Sequence, residues 1–271
     1  MDNFENTVGF ITGGAAGIGL GVARELGRKG MTLILADIEP ATLDAAASAL
    51  RDEGMTVETE ILDVADHDAY KAVAAGVLER HGSIQFLFNN AGVAGPSPIS
   101  GGSLEDWRWV VDVNLMGVVY GVELFLPSMQ ASGRPSYIIN TASMAGHLGN
   151  ANMASYCATK FAVVGYSEVM RAELADTNVG VSVLCPAWVK TRIAESLRNH
   201  PNPDLVERTD EQLSTISQVI ADEGISVEQV GQRVVAGMAD ETFYLFTHPD
   251  FWPLLEERLN RIRSDYASIP Q

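Results

Sequence analysis

The stretch that most limits what this chain can fold into is Thr12-Gly13-Gly14-Ala15-Ala16-Gly17-Ile18-Gly19. It follows a short apolar run, Thr7 to Thr12, and opens a helical run that reaches about Lys29. Strand, glycine-rich turn and helix in that order begin a parallel unit that binds a dinucleotide. Glycines remove Cβ atoms, so backbone N–H groups can close on a pyrophosphate at the positive end of the helix. Gly13, Ala16, Gly17, Ile18 and Gly19 are therefore candidate cofactor contacts. A turn of this composition can also serve tight packing alone, and the rest of the chain decides between the two.

A second apolar run, Met31 to Ala36, ends at Asp37, about 18 residues past Gly19. That is close to the spacing of an acid that binds the adenosine ribose hydroxyls. A carboxylate there repels a 2′-phosphate, and no Arg or Lys follows at Ile38 or Glu39, which favours NAD over NADP. Asp37 also stands where it would N-cap a helix beginning near Pro40. The alternation continues with helix Thr42 to Glu53, strand Thr56 to Leu62, helix Asp66 to His81 and strand Ile84 to Phe88. A long helix from Leu104 carries Trp107, Val110, Val111, Leu115, Val118 and Val119 on its apolar side, with Asn114 polar among them. Strand Ser136 to Thr141, helix Ala154 to Thr177 and strand Gly180 to Leu184 follow. A helix near Ser226 to Met238, a strand Phe243 to Phe246 and an amphipathic helix from Phe251 to Tyr266 end the chain.

Strands separated by helices predict an α/β fold, a Rossmann-type doubly wound parallel sheet of about seven strands with helices on both faces. Residues 1–271 form one dinucleotide-binding and catalytic domain in this reading. The periodicity weakens from Arg192 to about Gly224, and 187–224 reads as a mobile substrate lid followed by a short helix. Ligands of such sheets bind at the C-terminal ends of the strands. The loops there carry Asp63-Val64, Asn89-Asn90-Ala91-Gly92, Thr141 to Ser143, and Pro186-Ala187-Trp188-Val189-Lys190-Thr191.

Tyr156 and Lys160 lie four apart at the start of a helix, which puts them on one face a turn apart. Free tyrosine has a pKa of about 10. Opposite unit charges roughly 4 Å apart interact by about 4 kcal/mol at an effective dielectric of about 20. That is room for a downward shift of about three pH units in the phenol. Ser143 on the preceding loop is placed to hold a substrate oxygen against it. The trio is a proton-transfer device for an alcohol or ketone, although a half-buried Tyr beside a solvated Lys has the same spacing.

The formal net charge of −17 argues against nucleic acid and anionic membrane as partners. No uninterrupted apolar run of about 18 residues is evident, so no membrane span is expected. The acidic, polar N-terminus does not resemble a secretory or transit signal, which makes the cytoplasm the expected compartment. Cys157 and Cys185 read as small buried thiols, and five scattered histidines show no metal-ligand spacing.

Taken together, the Thr12–Gly19 turn, Asp63, Asn89-Asn90-Ala91-Gly92, Asn114, Ser143 and Tyr156-x-x-x-Lys160 resemble the short-chain dehydrogenase/reductase family, in its compact single-domain branch. The resemblance runs from Val8 to about Thr191 in the right order. It implies that Tyr156 is the acid/base, that Lys160 lowers its pKa and holds the nicotinamide ribose, and that Ser143 orients the substrate oxygen. Asn114 would fix a water linking Lys160 to solvent. The cofactor would lie along Gly13 to Gly19, Asp37, Ile38, Asp63, Val64, Asn90, Ala91, Gly92, Thr141, Tyr156, Lys160, Pro186, Val189 and Thr191. The residue after Pro186 is commonly Gly in the family and is Ala187 here. Members usually form tetramers through the two long helices and the C-terminal strand and helix, so a homotetramer or homodimer is expected.

Ser143, Met153, Tyr156 and Trp188 are the candidate substrate contacts. His147, Leu148, Asn152, Ile193 and Leu197 would extend that pocket, with Val93 and Ala94 opposite. This lining suits a secondary alcohol or ketone with a bulky hydrophobic or aromatic group. An NADP-dependent carbonyl reductase, a reductase of C=C or C=N bonds and a non-catalytic dinucleotide sensor are the rival readings, and the intact Ser143, Tyr156 and Lys160 favour C–O chemistry.

Overall fold

Side chains in the strands alternate between two faces, and both faces here are apolar. In β1 (Val8–Thr12), Phe10 enters one core and Ile11 the other. In β2 (Thr32–Asp37), Leu33 and Leu35 join Ile11, while Ile34 and Ala36 join Phe10. Strands buried on both faces belong to a parallel sheet covered on both sides by helices. A computed structural model of the chain, describing residues 4–202, 204 and 211–270, shows that arrangement.

After β1 come α1 (Gly17–Gly27), β2, α2 (Pro40–Asp52), β3 (Val57–Ile61), α3 (His67–His81) and β4 (Phe86–Asn89). A long helical stretch follows, α4 (Leu104–Val111), a π-helical turn (Asp112–Met116) and α5 (Gly117–Ala131). Then come β5 (Ser136–Thr141), α6 (Ala154–Glu173), β6 (Val179–Cys185), α7 (Glu211–Glu223), α8 (Val227–Ala239), β7 (Tyr244–Phe246) and α9 (Trp252–Ala267). The seven strands pair in the order β3-β2-β1-β4-β5-β6-β7, and every pairing is parallel. Strand order reverses between β1 and β4, so the loops leaving these two strands flank the crevice in which such sheets bind ligands.

Three expectations need correction. Helix α2 begins at Pro40, because proline is suited to the first helical position. The helix from Leu104 buries only part of the side expected. Val110 and Val118 are buried as expected, whereas Trp107, Val111, Leu115 and Val119 are half-buried and Trp109 and Val113 enter the core instead. By length and composition Leu104–Ala131 is also apolar enough to cross a membrane. Half of its most apolar window is buried inside this protein, and Val122, Phe125 and Met129 lie in the core. Helix α9 buries only Leu255, less than an amphipathic reading implies.

Helix α6 has an unusual start. Its N-cap residue, Met153, offers no side-chain cap. Ser97, from the loop after β4, supplies one instead: its Oγ accepts the Ser155 N–H at 2.9 Å and lies 2.9 Å from the Ser155 hydroxyl. Backbone bonds from Ser97 N to Asn152 O (2.8 Å) and from Ala154 N to Ser97 O (3.1 Å) fix that contact.

Candidate active site

The turn after β1 is built for close backbone approach. Gly13 has φ +61°, and a Cβ there would press on the backbone of Ala91 at 3.0 Å. A Cβ at Gly19 would lie 2.1 Å from the Gly13 carbonyl, which leaves no room for any side chain. Thr12 Oγ1 accepts the N–H groups of Asn90 (2.9 Å) and Ala91 (3.1 Å), and Asn90 Nδ2 donates to the Thr12 and Gly13 carbonyls. The β1 and β4 loops are thereby locked together at the switch point.

Asp37 is not the N-cap of α2; Glu39 occupies that position and makes no side-chain cap bond. Asp37 instead accepts the Ala15 N–H and the Glu39 N–H, each at 3.1 Å, one on each carboxylate oxygen. Burial pushes its carboxyl above the usual value, and those N–H bonds pull it back in part. The carboxylate is thus tied to the glycine-rich turn while still lining the cleft.

At the other end of the cleft, Lys160 is buried and its Nζ donates to the Thr141 carbonyl at 2.8 Å. Burial drives the ammonium down to about 8. Nζ lies 5.6 Å from the centre of the Tyr156 ring. Burial pushes the Tyr156 phenol above its ordinary value, and a hydrogen bond with Ser143 opposes this in part. That direction is opposite to the acidification by Lys160 that the spacing suggests. The Lys160 ammonium donates to the Thr141 carbonyl and not to the phenol, so desolvation of the phenol prevails. Ser143 caps a short 3-10 turn (Met144–Gly146) by accepting the Ala145 N–H at 3.1 Å, and its hydroxyl reaches the Pro186 carbonyl at 3.3 Å.

Asn114 is fully buried in the π-turn, and its amide makes bonds in both directions with Val93: Oδ1 accepts the N–H at 2.8 Å and Nδ2 donates to the carbonyl at 2.9 Å. Nδ2 also reaches Thr159 Oγ1 at 3.4 Å. The side-chain amide thereby pins the loop after β4.

One cleft of about 870 Å³ joins these parts, from Gly13 and Asp37 to Ser143, Tyr156 and Lys160. Ala16, Gly17, Ile18, Ile38, Asp63, Val64, Asn90, Ala91, Gly92, Thr141, Pro186, Val189 and Thr191 also line it. Gly19 and Asn114 do not face it. A cleft of this size lined by a glycine cradle, the Asp37 carboxylate and the buried Lys160 fits a dinucleotide. Of the expected substrate contacts, Met153, Trp188, Ile193, Val93 and Ala94 line the cleft. His147, Leu148, Asn152 and Leu197 do not. His147 packs on Phe246 and lies 3.3 Å from the Cys185 sulfur, and Leu197 is buried in the core. Cys157 and Cys185 are free and buried, and among the described residues no group of three His, Cys, Asp or Glu is placed to hold a metal ion.

The family model described as short chain dehydrogenase matches residues 7–202. This chain belongs to that family. A curated relative, a C alpha-dehydrogenase of Sphingobium sp. (strain NBRC 103272 / SYK-6), is 33% identical over 99% of this chain and 89% of its own length. Among solved structures, a short chain dehydrogenase/reductase from Burkholderia phymatum in complex with NAD superposes with TM-score 0.91. It is 34% identical and the match covers 98% of this chain and 97% of that one. A metagenomic short-chain oxidoreductase in complex with NADP has TM-score 0.72 and 27% identity, over 90% of this chain and 97% of that one.

The short-chain dehydrogenase fold thus presents several cleft residues that the sequence did not single out. Met144, Trp109, Ile216, Ile220 and Phe251 enclose the cleft, and Glu39, Arg198 and Asn199 line it as well. Ile216 and Ile220 come from α7, and Phe251 from a 3-10 turn (Pro249–Phe251) before α9. The region read as a lid is tied at its root: Ile225 N donates to Trp188 O and Lys190 N to Ile225 O, each at 3.0 Å. Between these ends runs a 3-10 stretch, Ile193–Asn199; residues 203 and 205–210 of the lid lie outside the described residues. Helical spacing in α7 could have flagged Ile216 and Ile220, but nothing local marks Phe251.

Proposed function

We propose that this short-chain dehydrogenase interconverts a secondary alcohol and a ketone, with NAD(H) as cofactor and Tyr156 as the acid/base. The observation that carries the reading is the joining of Ser143, Tyr156 and Lys160 to the Asp37 end of one cleft. The bound dinucleotide supplies hydride acceptance in one direction and hydride donation in the other. Everything else is done by side chains of this chain. Ser143 and the Tyr156 hydroxyl, which line the same cleft, would share a substrate oxygen between them. For reduction, Tyr156 gives its proton to that oxygen, and the elevated pKa of the phenol means the proton is present at neutral pH. For oxidation, the phenolate takes the hydroxyl proton, and Lys160 stabilises it while the ammonium holds its charge.

The preference for NAD rests on Asp37, whose carboxylate would accept ribose hydroxyls and repel a 2′-phosphate. The cleft favours a substrate with a bulky hydrophobic or aromatic group, because Trp188, Met153, Ile216, Ile220 and Phe251 are among its lining. The relative named a C alpha-dehydrogenase is in keeping with dehydrogenation at a carbon centre. A homo-oligomer acting in the cytoplasm completes the proposal. The test is a panel of bulky secondary alcohols and aryl ketones, followed by NADH absorbance with NAD(H) and NADP(H) at equal concentration. Turnover of aromatic substrates with NAD(H) supports the reading; turnover confined to small aliphatic alcohols, or to NADP(H), overturns it.

A further inference from the structure

Arg198, on the 3-10 stretch of the lid, reaches across the cleft mouth to Glu39. Its Nε and Nη2 edge grips a single carboxylate oxygen, Glu39 Oε1, at 2.8 and 2.7 Å. Asn199 Nδ2 donates to the same oxygen at 3.0 Å, and Thr42 Oγ1 donates to Glu39 Oε2 at 3.0 Å. The second guanidinium edge is held within the lid itself, where Nη1 donates to the Arg192 and Glu195 carbonyls at 3.3 and 3.0 Å. Glu39, Thr42, Arg198 and Asn199 all line the cleft, and Glu39 stands two residues along the chain from Asp37.

This is a built anion site. A planar Nε/Nη2 fork, an amide and a hydroxyl converge on one negatively charged group, and such a fork matches phosphate as well as carboxylate. We infer that Glu39 plugs a latent phosphate-binding site formed by Arg198, Asn199 and Thr42, and that this plug, together with Asp37, is what makes the adenosine end refuse a 2′-phosphorylated cofactor. The inference rests on the reading of this cleft as a dinucleotide site. Asp37 acts by repulsion alone. Glu39 acts twice, adding a second negative charge and occupying the cation that would otherwise receive a phosphate. No Arg or Lys stands directly after Asp37 in the sequence. The fold brings one there from 159 residues away and neutralises it. Because Nη1 is anchored to lid carbonyls, losing Glu39 would leave the fork facing the cleft, not swinging into solvent.

The test is equilibrium binding followed by NADH and NADPH fluorescence, with adenosine 2′-monophosphate as competitor, on the wild-type chain, Glu39→Gln and Glu39→Gln/Arg198→Met. Glu39→Gln is expected to tighten NADPH and adenosine 2′-monophosphate by about tenfold, the change one charge-assisted hydrogen bond carries. NADH affinity should stay within about threefold, since its ribose hydroxyls need no cation. Adding Arg198→Met should abolish the gain. The inference is overturned if Glu39→Gln leaves NADPH unchanged, if it weakens both cofactors alike, or if the double variant keeps the gain. Should the wild-type chain bind neither dinucleotide, the reading of the cleft fails first, and that outcome is seen before any variant is made.

Discussion

Replacing Lys160 by Met should stabilise the protein while abolishing its activity. The ammonium is buried, and its folded-state value of about 8 lies below the ordinary 10.5. At about 1.4 kcal/mol per pH unit, that displacement represents roughly 3 kcal/mol of destabilisation from burying the charge. Removing the side chain also strips a donor from the Thr141 carbonyl, a loss of about 1 kcal/mol. The net gain is about 2 kcal/mol at pH 7, which for a chain of this size raises Tm by roughly 4 °C. The pH dependence distinguishes this origin from better packing. Between the folded and unfolded values the unfolded state binds more protons, so wild-type stability rises with pH there. The cost is fully present below about pH 8 and disappears as pH approaches 10.5. The advantage of Lys160→Met should therefore be largest at neutral pH and shrink steadily above 8. Urea or thermal unfolding of both proteins without cofactor, at neutral pH and at about pH 10, reads this directly. A variant that melts below wild type at pH 7, or an advantage independent of pH, refutes the reasoning.

Other outcomes follow from the same geometry. Gly19→Ala places a Cβ 2.1 Å from the Gly13 carbonyl and 2.8 Å from Asn90 Nδ2; overpacking costs about 1–3 kcal/mol, so NADH affinity by fluorescence should fall about tenfold or more. Wild-type affinity in that variant would show that the turn yields freely. Ser97→Ala removes the cap lent to the helix that carries Tyr156. Unfolding should show a loss of about 1–2 kcal/mol, and kcat should fall more than NADH affinity, with Ser97→Thr restoring much of both. An unchanged kcat would make the contact purely structural. Because burial raises the Tyr156 phenol, oxidation kcat/KM should climb about tenfold per pH unit from about pH 6 to about pH 8. A flat profile there would assign the proton to another group.

Much of this was legible locally. The helix expected from Asp66 to His81 is there, starting one residue later because the Asp66 side chain caps α3 by accepting the Ala69 N–H. The strands announced themselves because both sheet faces are buried, so Leu33 to Ala36 is apolar without interruption. Spacing also placed Tyr156, Lys160, Ser143 and Asp37 on one cleft. What escaped were contacts that only the closed fold creates. Ser97 caps a helix 58 residues on, and Arg198 meets Glu39 across 159 residues. The direction of the Tyr156 shift was missed because charge attraction can be read from spacing, whereas burial cannot.

The most direct test of the central claim is a single-turnover comparison of wild type and Tyr156→Phe with one reactive ketone and NADH, alongside NADH binding by fluorescence. Unchanged NADH affinity with hydride transfer slowed by about 10²-fold or more is the expected result for a proton donor. Transfer at the wild-type rate from the fully loaded Tyr156→Phe variant would contradict it.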